Sequence, residues 1–227
     1  KALPKHTRPM DVLQMAVSSL GTFYDLEVSP EKVKGKKYDD EYFLNTSAVL
    51  IGALGSIVAA WHRIRNGDEP ISSKPDCTYA ENFLHILGAE KITPLMTRIM
   101  DATLVLHGEH TINASTFTAM VTSSTLANAS QVVASAIGSL SGPLHGGANE
   151  KVIAMLQKIE SKEEIRPWLD DTLKAKNVVW GMGHREYSVK DPRANILTDM
   201  VQQLFDEREG GVTDIFEKAI ELEKACE

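Results

Sequence analysis

The segment from residue 46 to residue 65 constrains the fold most, because it is apolar on nearly every face of a helix. A helix without a polar face is buried, either in a domain core or between subunits. Its longest apolar stretch, from Ala48 to Trp61, is too short to cross a bilayer. The segment therefore predicts a buried helix in a protein that does not bind membranes. Small residues would let neighbouring helices approach it closely: Gly52, Gly55, Ala59 and Ala60.

Most of the remaining chain also has the apolar periodicity of helices. Pro9 stands where a first-turn proline belongs, and apolar residues then recur at helical spacing until Gly21. Aromatic residues make up only 6% of the chain, which favours helices over sheets. The only extended segment that we predict is 177–180. The sequence thus predicts an all-α fold, with further helices at 79–87, 93–106, 151–159, 165–175, 193–206 and 212–225, and one or two between 115 and 140 with a break near Asn128.

The composition of the chain changes after Asn149, where Lys and Glu become frequent. Helices before this point are rich in small and apolar residues, whereas the later ones are amphipathic. We therefore predict that residues 1–147 are part of a large helical domain and that residues 148–227 form a small helical domain. Residues 27–40 are charged and contain Pro30 and Gly35, so they are predicted to be a surface connection.

Charge and cysteine content exclude several classes of function. The formal net charge of -7 argues against a general nucleic-acid-binding protein, because phosphate binding needs a basic surface. The two cysteines, Cys77 and Cys226, are far apart and have no metal-ligand spacing. We therefore predict no disulfide framework, no metal site and a reducing compartment.

His145 lies at a break between helices. Gly142 and Pro143 precede it, two glycines follow it, and the next helix is predicted to start near Asn149. The N-terminus of a helix disfavours an imidazolium cation, so we expect a neutral His145 that can donate a hydrogen bond to an oxygen that becomes anionic. The alternative interpretation is a structural turn that happens to contain a histidine.

His184 follows Gly181-Met182-Gly183, where glycines would let the backbone approach a ligand closely. Asp191-Pro192-Arg193 then opens another helix. Arg193 can bind a carboxylate through two hydrogen bonds, and Asp191 can cap the helix. The alternative is a loop with a helix cap, because the phosphate-loop and dinucleotide patterns are both absent.

His107 and His110 are three residues apart, with Asn113 shortly after them. Two histidines at this spacing could bind a metal ion, but the His-Glu-x-x-His pattern of a zinc protease is absent. Hydrogen-bonding groups at a helix end that faces a polar cleft fit this segment better.

The three segments and their order resemble those of the citrate synthase family. The His-x-x-His segment at 107–110, the Pro-x-His-Gly-x-Ala-Asn segment at 143–149 and the Gly-x-Gly-His…Asp-Pro-Arg segment at 181–193 all match that family. The resemblance extends over essentially the whole chain from Pro9 onward. It implies a citrate synthase-like fold with a large buried-helix domain and a smaller helical domain.

The resemblance implies a reaction of the tricarboxylic acid cycle, in which acetyl-CoA condenses with oxaloacetate and citryl-CoA is hydrolysed to citrate and CoA. By the motif match, His145 stabilises the enolate and His184 protonates the oxaloacetate carbonyl. His110 and Arg193 hold oxaloacetate carboxylates, and His107 and Asn113 support that wall of the site. The CoA thioester is a co-substrate, and no permanently bound cofactor is implied. The residues predicted to contact CoA are Val178, Val179, Gly181, Met182, Gly183 and Lys190.

One departure from the family pattern concerns the catalytic aspartate. That residue and later substrate-binding arginines follow the Gly-x-Gly-His segment by several tens of residues in the family, and no matching segment occurs here. We therefore expect the sequence to be a fragment without the N- and C-terminal portions, and to be inactive or nearly so when expressed alone.

Two other functions remain open at this stage. A 2-methylcitrate synthase shares these motifs and uses propionyl-CoA, while a non-catalytic relative could use its helices for oligomer formation alone. The family forms homodimers through buried helices, and segments 46–65 and 115–140 suit that role. The order His145-Gly146-Gly147 is prokaryotic in style and predicts a cytoplasmic protein, with the mitochondrial matrix as the alternative.

Overall fold

The computed structural model describes residues 3–26, 40–108, 111–183, 190–207 and 213–226. These ranges contain ten α-helices and no β-strand, so the all-α prediction is confirmed. Two single-turn 3-10 helices, Leu20–Thr22 and Lys162–Glu164, precede or follow α-helices. The α-helices are α1 (Pro9–Ser19), α2 (Asp40–Asn66), α3 (Tyr79–Leu87), α4 (Pro94–Leu106), α5 (Ala114–Ser123), α6 (Ala129–Leu140), α7 (Ala148–Leu156), α8 (Ile165–Lys174), α9 (Pro192–Asp206) and α10 (Asp214–Cys226).

Side-chain caps determine where several of these helices begin. Thr78 Oγ1 accepts a hydrogen bond from the Glu81 N–H at 3.2 Å, which satisfies a donor in the first turn of α3. The same kind of cap opens four more helices, through Thr93, Asn113, Asn128 and Asp191. The predicted surface connection at 27–40 lies outside the described residues, apart from Asp40, where α2 begins.

The predicted break near Asn128 separates α5 from α6. Leu126 has a φ of 61°, a left-handed conformation that does not continue a helix. Asn128 Oδ1 then accepts a hydrogen bond from the Ser130 N–H at 2.9 Å and caps α6. At the polar interruption in the sequence, one helix therefore ends and a second helix begins.

No strand forms at 177–180, where the sequence predicts an extended segment. These residues have no strand partner in the described part of the chain and form the connection after α8. The Asn177 N–H donates to the Thr172 carbonyl at 3.0 Å, which closes the end of that helix. Val179 and Trp180 instead pack against a core made of helices. Their β-branched and aromatic side chains suit a buried position whether or not the backbone forms a strand.

The chain folds into two compact units, Lys1–Ser141 and Gly142–Glu227. The sequence placed a domain boundary slightly later, between residues 147 and 148. The turn at 142–147 belongs to the second unit, because its backbone hydrogen bonds lead directly into α7. That the units correspond to a large and a small enzyme domain stays a prediction.

In the first unit, α1 packs against both α2 and α6. Val17 of α1 is fully buried against Ala134 and Ile137 of α6. The predicted close approach at α2 occurs at Gly55, where a Cβ atom would lie 2.6 Å from Tyr79 Oη of α3. That hydroxyl donates a hydrogen bond to the Ile51 carbonyl of α2 at 2.9 Å. A side chain at position 55 would therefore displace the Tyr79 hydroxyl and break this hydrogen bond.

Two helices predicted to be buried are largely exposed in this chain. Leu44, Ile51 and Val58 form an exposed apolar stripe along α2, with Leu44 71% exposed. The helix Glu41–Asn66 is long and apolar enough to cross a membrane, as judged by length and composition alone. Only 17% of its most apolar 18 residues are buried. The apolar stretch of the sequence was shorter than this helix, so the argument from its length is wrong. Within α5, no residue is buried.

A cluster of buried apolar side chains holds the second unit together. Ile165 of α8 has no exposed surface, and it packs with Leu156 of α7 and Leu222 of α10. Each such burial stabilises the unit by about 1.5–3 kcal/mol. Val179 joins the same cluster. The core therefore fixes the 178–183 segment and α7 in one compact unit.

Candidate active site

His145 lies in a hydrogen-bonded turn that leads into α7. Its N–H donates to the Gly142 carbonyl at 3.0 Å, and its carbonyl accepts from the Ala148 N–H at 3.0 Å. The N-cap, Gly147, makes no side-chain capping bond. Backbone carbonyls of the turn therefore take the place of a side-chain cap, and the half-buried imidazole lies three residues before the first residue of the helix. Such a position suits a hydrogen-bond donor to an anionic oxygen.

The glycine turn at 181–183 packs against the helix that follows His145. Gly181 and Gly183 have φ angles of 91° and 75°, which side chains other than glycine rarely adopt. A Cβ atom at Gly181 would lie 3.2 Å from Cγ2 of Val152, which belongs to α7. The structure thus brings this turn and the His145 helix together within the second unit.

The predicted CoA contacts in this turn differ in what they can offer a ligand. The side chain of Val179 is 8% exposed, so mainly backbone atoms of this residue could contact a ligand. The side chain of Met182 packs against the same core but is only partly buried. Val178, Gly181 and Gly183 are exposed. A ligand along this segment would therefore contact mainly backbone and the side chains of Val178 and Met182.

Arg193 is held by Asp191 at the start of α9. Oδ1 of Asp191 accepts a hydrogen bond from the Arg193 N–H at 2.9 Å, which is the predicted helix cap. The guanidinium also binds this carboxylate, with Nη2 2.6 Å from Oδ2 and Nε 3.0 Å from Oδ1. The hydrogen bond to Asp191 raises the pKa of Arg193, so the guanidinium stays charged. The sequence suggested the cap but not this side-chain pair.

Lys190 is paired with a carboxylate of α10. Its Nζ lies 2.6 Å from Oε1 of Glu223, and both side chains are partly exposed. A CoA phosphate could bind Lys190 only in competition with Glu223 or beside it. No pattern in the sequence indicated this pair, because its partners lie 33 positions apart in the chain.

His107 and Asn113 lie in the first unit. His107 Nδ1 is 2.6 Å from the Thr103 carbonyl, so this nitrogen carries a proton, and the ring is exposed at the end of α4. Asn113 Oδ1 accepts a hydrogen bond from the Thr116 N–H at 3.0 Å and caps α5. Both residues therefore have a local structural role, whatever they contact in a complex.

Two predicted site residues, His110 and His184, lie outside the described residues. Among the described residues, no group of three or more His, Cys, Asp or Glu side chains could hold a metal ion. The described part of the candidate site in the second unit therefore consists of His145, Lys190, Arg193 and the 178–183 turn.

The family model for the C-terminal domain of citrate synthase matches residues 1–227. This chain belongs to the citrate synthase family. It is 43% identical over 225 residues to a citrate synthase of Acidithiobacillus ferridurans, covering 99% of this chain and 57% of the relative. It is 44% identical to a citrate synthase of Synechocystis, covering 100% of this chain and 55% of the relative. The chain thus spans little more than half the length of these relatives.

The chain is also similar to a 2-methylcitrate synthase and to solved citrate synthase structures. A 2-methylcitrate synthase of Shewanella oneidensis is 35% identical over 203 residues, which is 89% of this chain and 51% of that protein. A solved structure of citrate synthase from Thermoplasma acidophilum, in ternary complex with carboxymethyl coenzyme A and oxaloacetate, matches with a TM-score of 0.79 and 27% identity. That match covers 98% of this chain and 56% of the other. The citrate synthase-like fold is therefore confirmed.

Proposed function

We propose that the protein is a citrate synthase, an acyltransferase that condenses acetyl-CoA with oxaloacetate and hydrolyses citryl-CoA to citrate and CoA. The observation that carries this proposal is the match of all 227 residues to the citrate synthase family, with the family's histidine turn intact at His145. The relatives with the higher identities quoted above are called citrate synthases, whereas the 2-methylcitrate synthase is less similar.

The difficult step of this reaction is the formation of a carbon nucleophile from a thioester methyl group. A carboxylate base removes a methyl proton, and charge moves to the thioester oxygen. His145 donates a hydrogen bond to that oxygen, because its turn places the imidazole at the N-terminus of α7. His184 is the proposed proton donor to the oxaloacetate carbonyl, on the strength of its motif.

The proposed substrate contacts come from all three motifs of the sequence. Arg193 binds an oxaloacetate carboxylate through its charged guanidinium, and His110 binds another by its motif. His107 and Asn113 support that wall of the site by their motif. CoA lies along 178–183, where the glycine turn leaves backbone atoms accessible. Lys190 contributes a phosphate contact beside Glu223.

The choice of acyl-CoA tests the proposed function. We expect the protein, expressed at its full length, to release free CoA from acetyl-CoA in the presence of oxaloacetate. The value of kcat/KM should exceed that for propionyl-CoA by about 10- to 200-fold, the usual effect of one methylene group in a fitted pocket. A preference for propionyl-CoA would instead identify a 2-methylcitrate synthase. Absence of release from both thioesters would contradict the proposal.

A homodimer formed through α5 would explain the exposed apolar side chains of that helix. Phe117, Met120 and Val121 recur at helical spacing, and Phe117 is 61% exposed. Exposed apolar patches of this kind mark protein interfaces. The stripe on α2 would likewise be covered by protein, and we propose a cytoplasmic enzyme in which α2 does not enter a membrane.

The double variant Phe117→Asp/Met120→Asp tests the dimer. Burying two carboxylates in an apolar interface is unfavourable, so we expect a dimer for the wild type and a monomer for the variant at micromolar concentration. Light scattering coupled to size exclusion gives the mass of each. Leu173→Asp, on an exposed apolar position of α8, is the matched control and should remain dimeric. A double variant that is still a dimer would contradict the assignment of this face.

A further inference from the structure

One carboxylate, that of Asp191, contacts both the backbone and the side chain of Arg193. Oδ1 accepts from the Arg193 backbone N–H at 2.9 Å and from Nε at 3.0 Å. Oδ2 accepts from Nη2 at 2.6 Å and from Nε at 3.1 Å. A helix cap alone requires only the first of these bonds. The other three fix the direction in which the guanidinium points.

The geometry of these bonds shows which edge of the guanidinium Asp191 occupies. Nε and Nη2 form one edge of the planar group, and both bind the same carboxylate. A second carboxylate approaches a guanidinium equally well through the edge formed by Nη1 and Nη2. Asp191 therefore occupies the edge formed by Nε and Nη2. A substrate carboxylate would approach through the edge that contains Nη1.

The segment that carries Asp191 is itself fixed to the rest of the second unit. Lys190, the residue before it, is paired with Glu223 of α10 at 2.6 Å. Pro192, the residue after it, is the first residue of α9 and has a restricted φ. The carboxylate thus projects from a short, constrained stretch of backbone. A group held in this way can in turn constrain the long side chain of an arginine.

We propose that Asp191 is a positioning residue for oxaloacetate binding, acting through Arg193. It holds the guanidinium in one orientation before the substrate arrives, so less side-chain freedom is lost when the substrate carboxylate binds. This inference rests on the proposed function, because it takes the ligand of Arg193 to be a carboxylate of oxaloacetate. It assigns no chemical step to Asp191.

The variant Asp191→Asn tests this role in the protein at its full length. Asparagine caps helices as well as aspartate does, so α9 should keep its start. Its amide group has one acceptor oxygen and no charge, so it cannot hold the guanidinium through two oxygens. We expect KM for oxaloacetate to rise about tenfold, the usual effect of losing hydrogen bonds between charged groups. The values of kcat and of KM for acetyl-CoA should stay within about twofold.

Two controls separate positioning from a general effect on the helix. Asp206→Asn removes a carboxylate from the other end of α9, where it binds Gln202 Nε2 at 2.9 Å, and should leave KM for oxaloacetate unchanged. A double-mutant cycle combines Asp191→Asn with Arg193→Gln. If Asp191 acts through Arg193, adding Asp191→Asn to Arg193→Gln should not weaken oxaloacetate binding further, measured as a Kd by calorimetry.

The outcomes distinguish this inference from the proposed function. A wild type that does not bind oxaloacetate would refute both. An active wild type whose Asp191→Asn variant has an unchanged KM for oxaloacetate would refute only the positioning role. Additive effects in the cycle, or an equal rise in KM for Asp206→Asn, would refute it as well.

Discussion

Replacing His145 by alanine is expected to lower kcat for citrate formation by about a hundredfold to a thousandfold, the usual cost of losing one donor to a developing oxyanion. The turn at 142–147 places this imidazole just before α7, and alanine offers no donor there. Because the hydrogen bond strengthens as the enolate forms, the loss should fall on kcat more than on KM for acetyl-CoA. Steady-state kinetics of the protein at its full length measure both constants.

The matched control is His62→Ala, which removes an exposed histidine of α2 that belongs to none of the three motifs. Its kcat should stay within about twofold of the wild type, as for most surface substitutions. Equal turnover by the wild type and the His145→Ala variant would contradict the catalytic role. That result would favour a relative whose helices serve oligomer formation alone.

Replacing Ile165 by alanine is expected to destabilise the second unit by about 2–5 kcal/mol. Ile165 is 0% exposed and lies in the core that also holds Leu156 and Leu222. Removing three carbon atoms there loses apolar burial and leaves a cavity that the surrounding helices fill only in part. Urea unfolding measures the change, with Trp168 and Trp180 as reporters because both pack against this core.

Leu173→Ala is the control for this prediction, since it shortens an aliphatic side chain on the same helix at a position that is 57% exposed. We expect its unfolding free energy to differ from that of the wild type by less than about 0.5 kcal/mol. Trp61 lies in the first unit, and a Trp61→Phe background removes its fluorescence from both measurements. Equal destabilisation by the two variants would show that Ile165 is not part of an essential core.

The helices could be predicted well because their signals are local. Prolines and capping residues lie within three or four residues of the helix starts that they determine, as Thr78 does for α3 and Asp191 for α9. Apolar periodicity needs only the neighbouring turns of the same helix. The residue types at 177–180 suit any buried position, so they do not show whether a strand forms there. None forms among the described residues.

Burial could be predicted less well than helicity. The sequence of 46–65 indicates that α2 prefers an apolar environment, but it does not say which molecule supplies that environment. In this chain Leu44 and its stripe remain exposed, as do the apolar side chains of α5. Burial depends on what packs against a helix, and that partner is distant in sequence or belongs to another polypeptide.

The sequence by itself determined the family and the identity of the candidate site residues, because the motifs around His145 and Arg193 are short and contiguous. It also determined the helical class through local periodicity. Only the tertiary structure decided what each side chain contacts: Val179 enters the core, Gly181 packs on α7, and Glu223 reaches Lys190 from α10. Such contacts join residues far apart in the chain, so they depend on how the helices pack and not on the order of neighbouring residues.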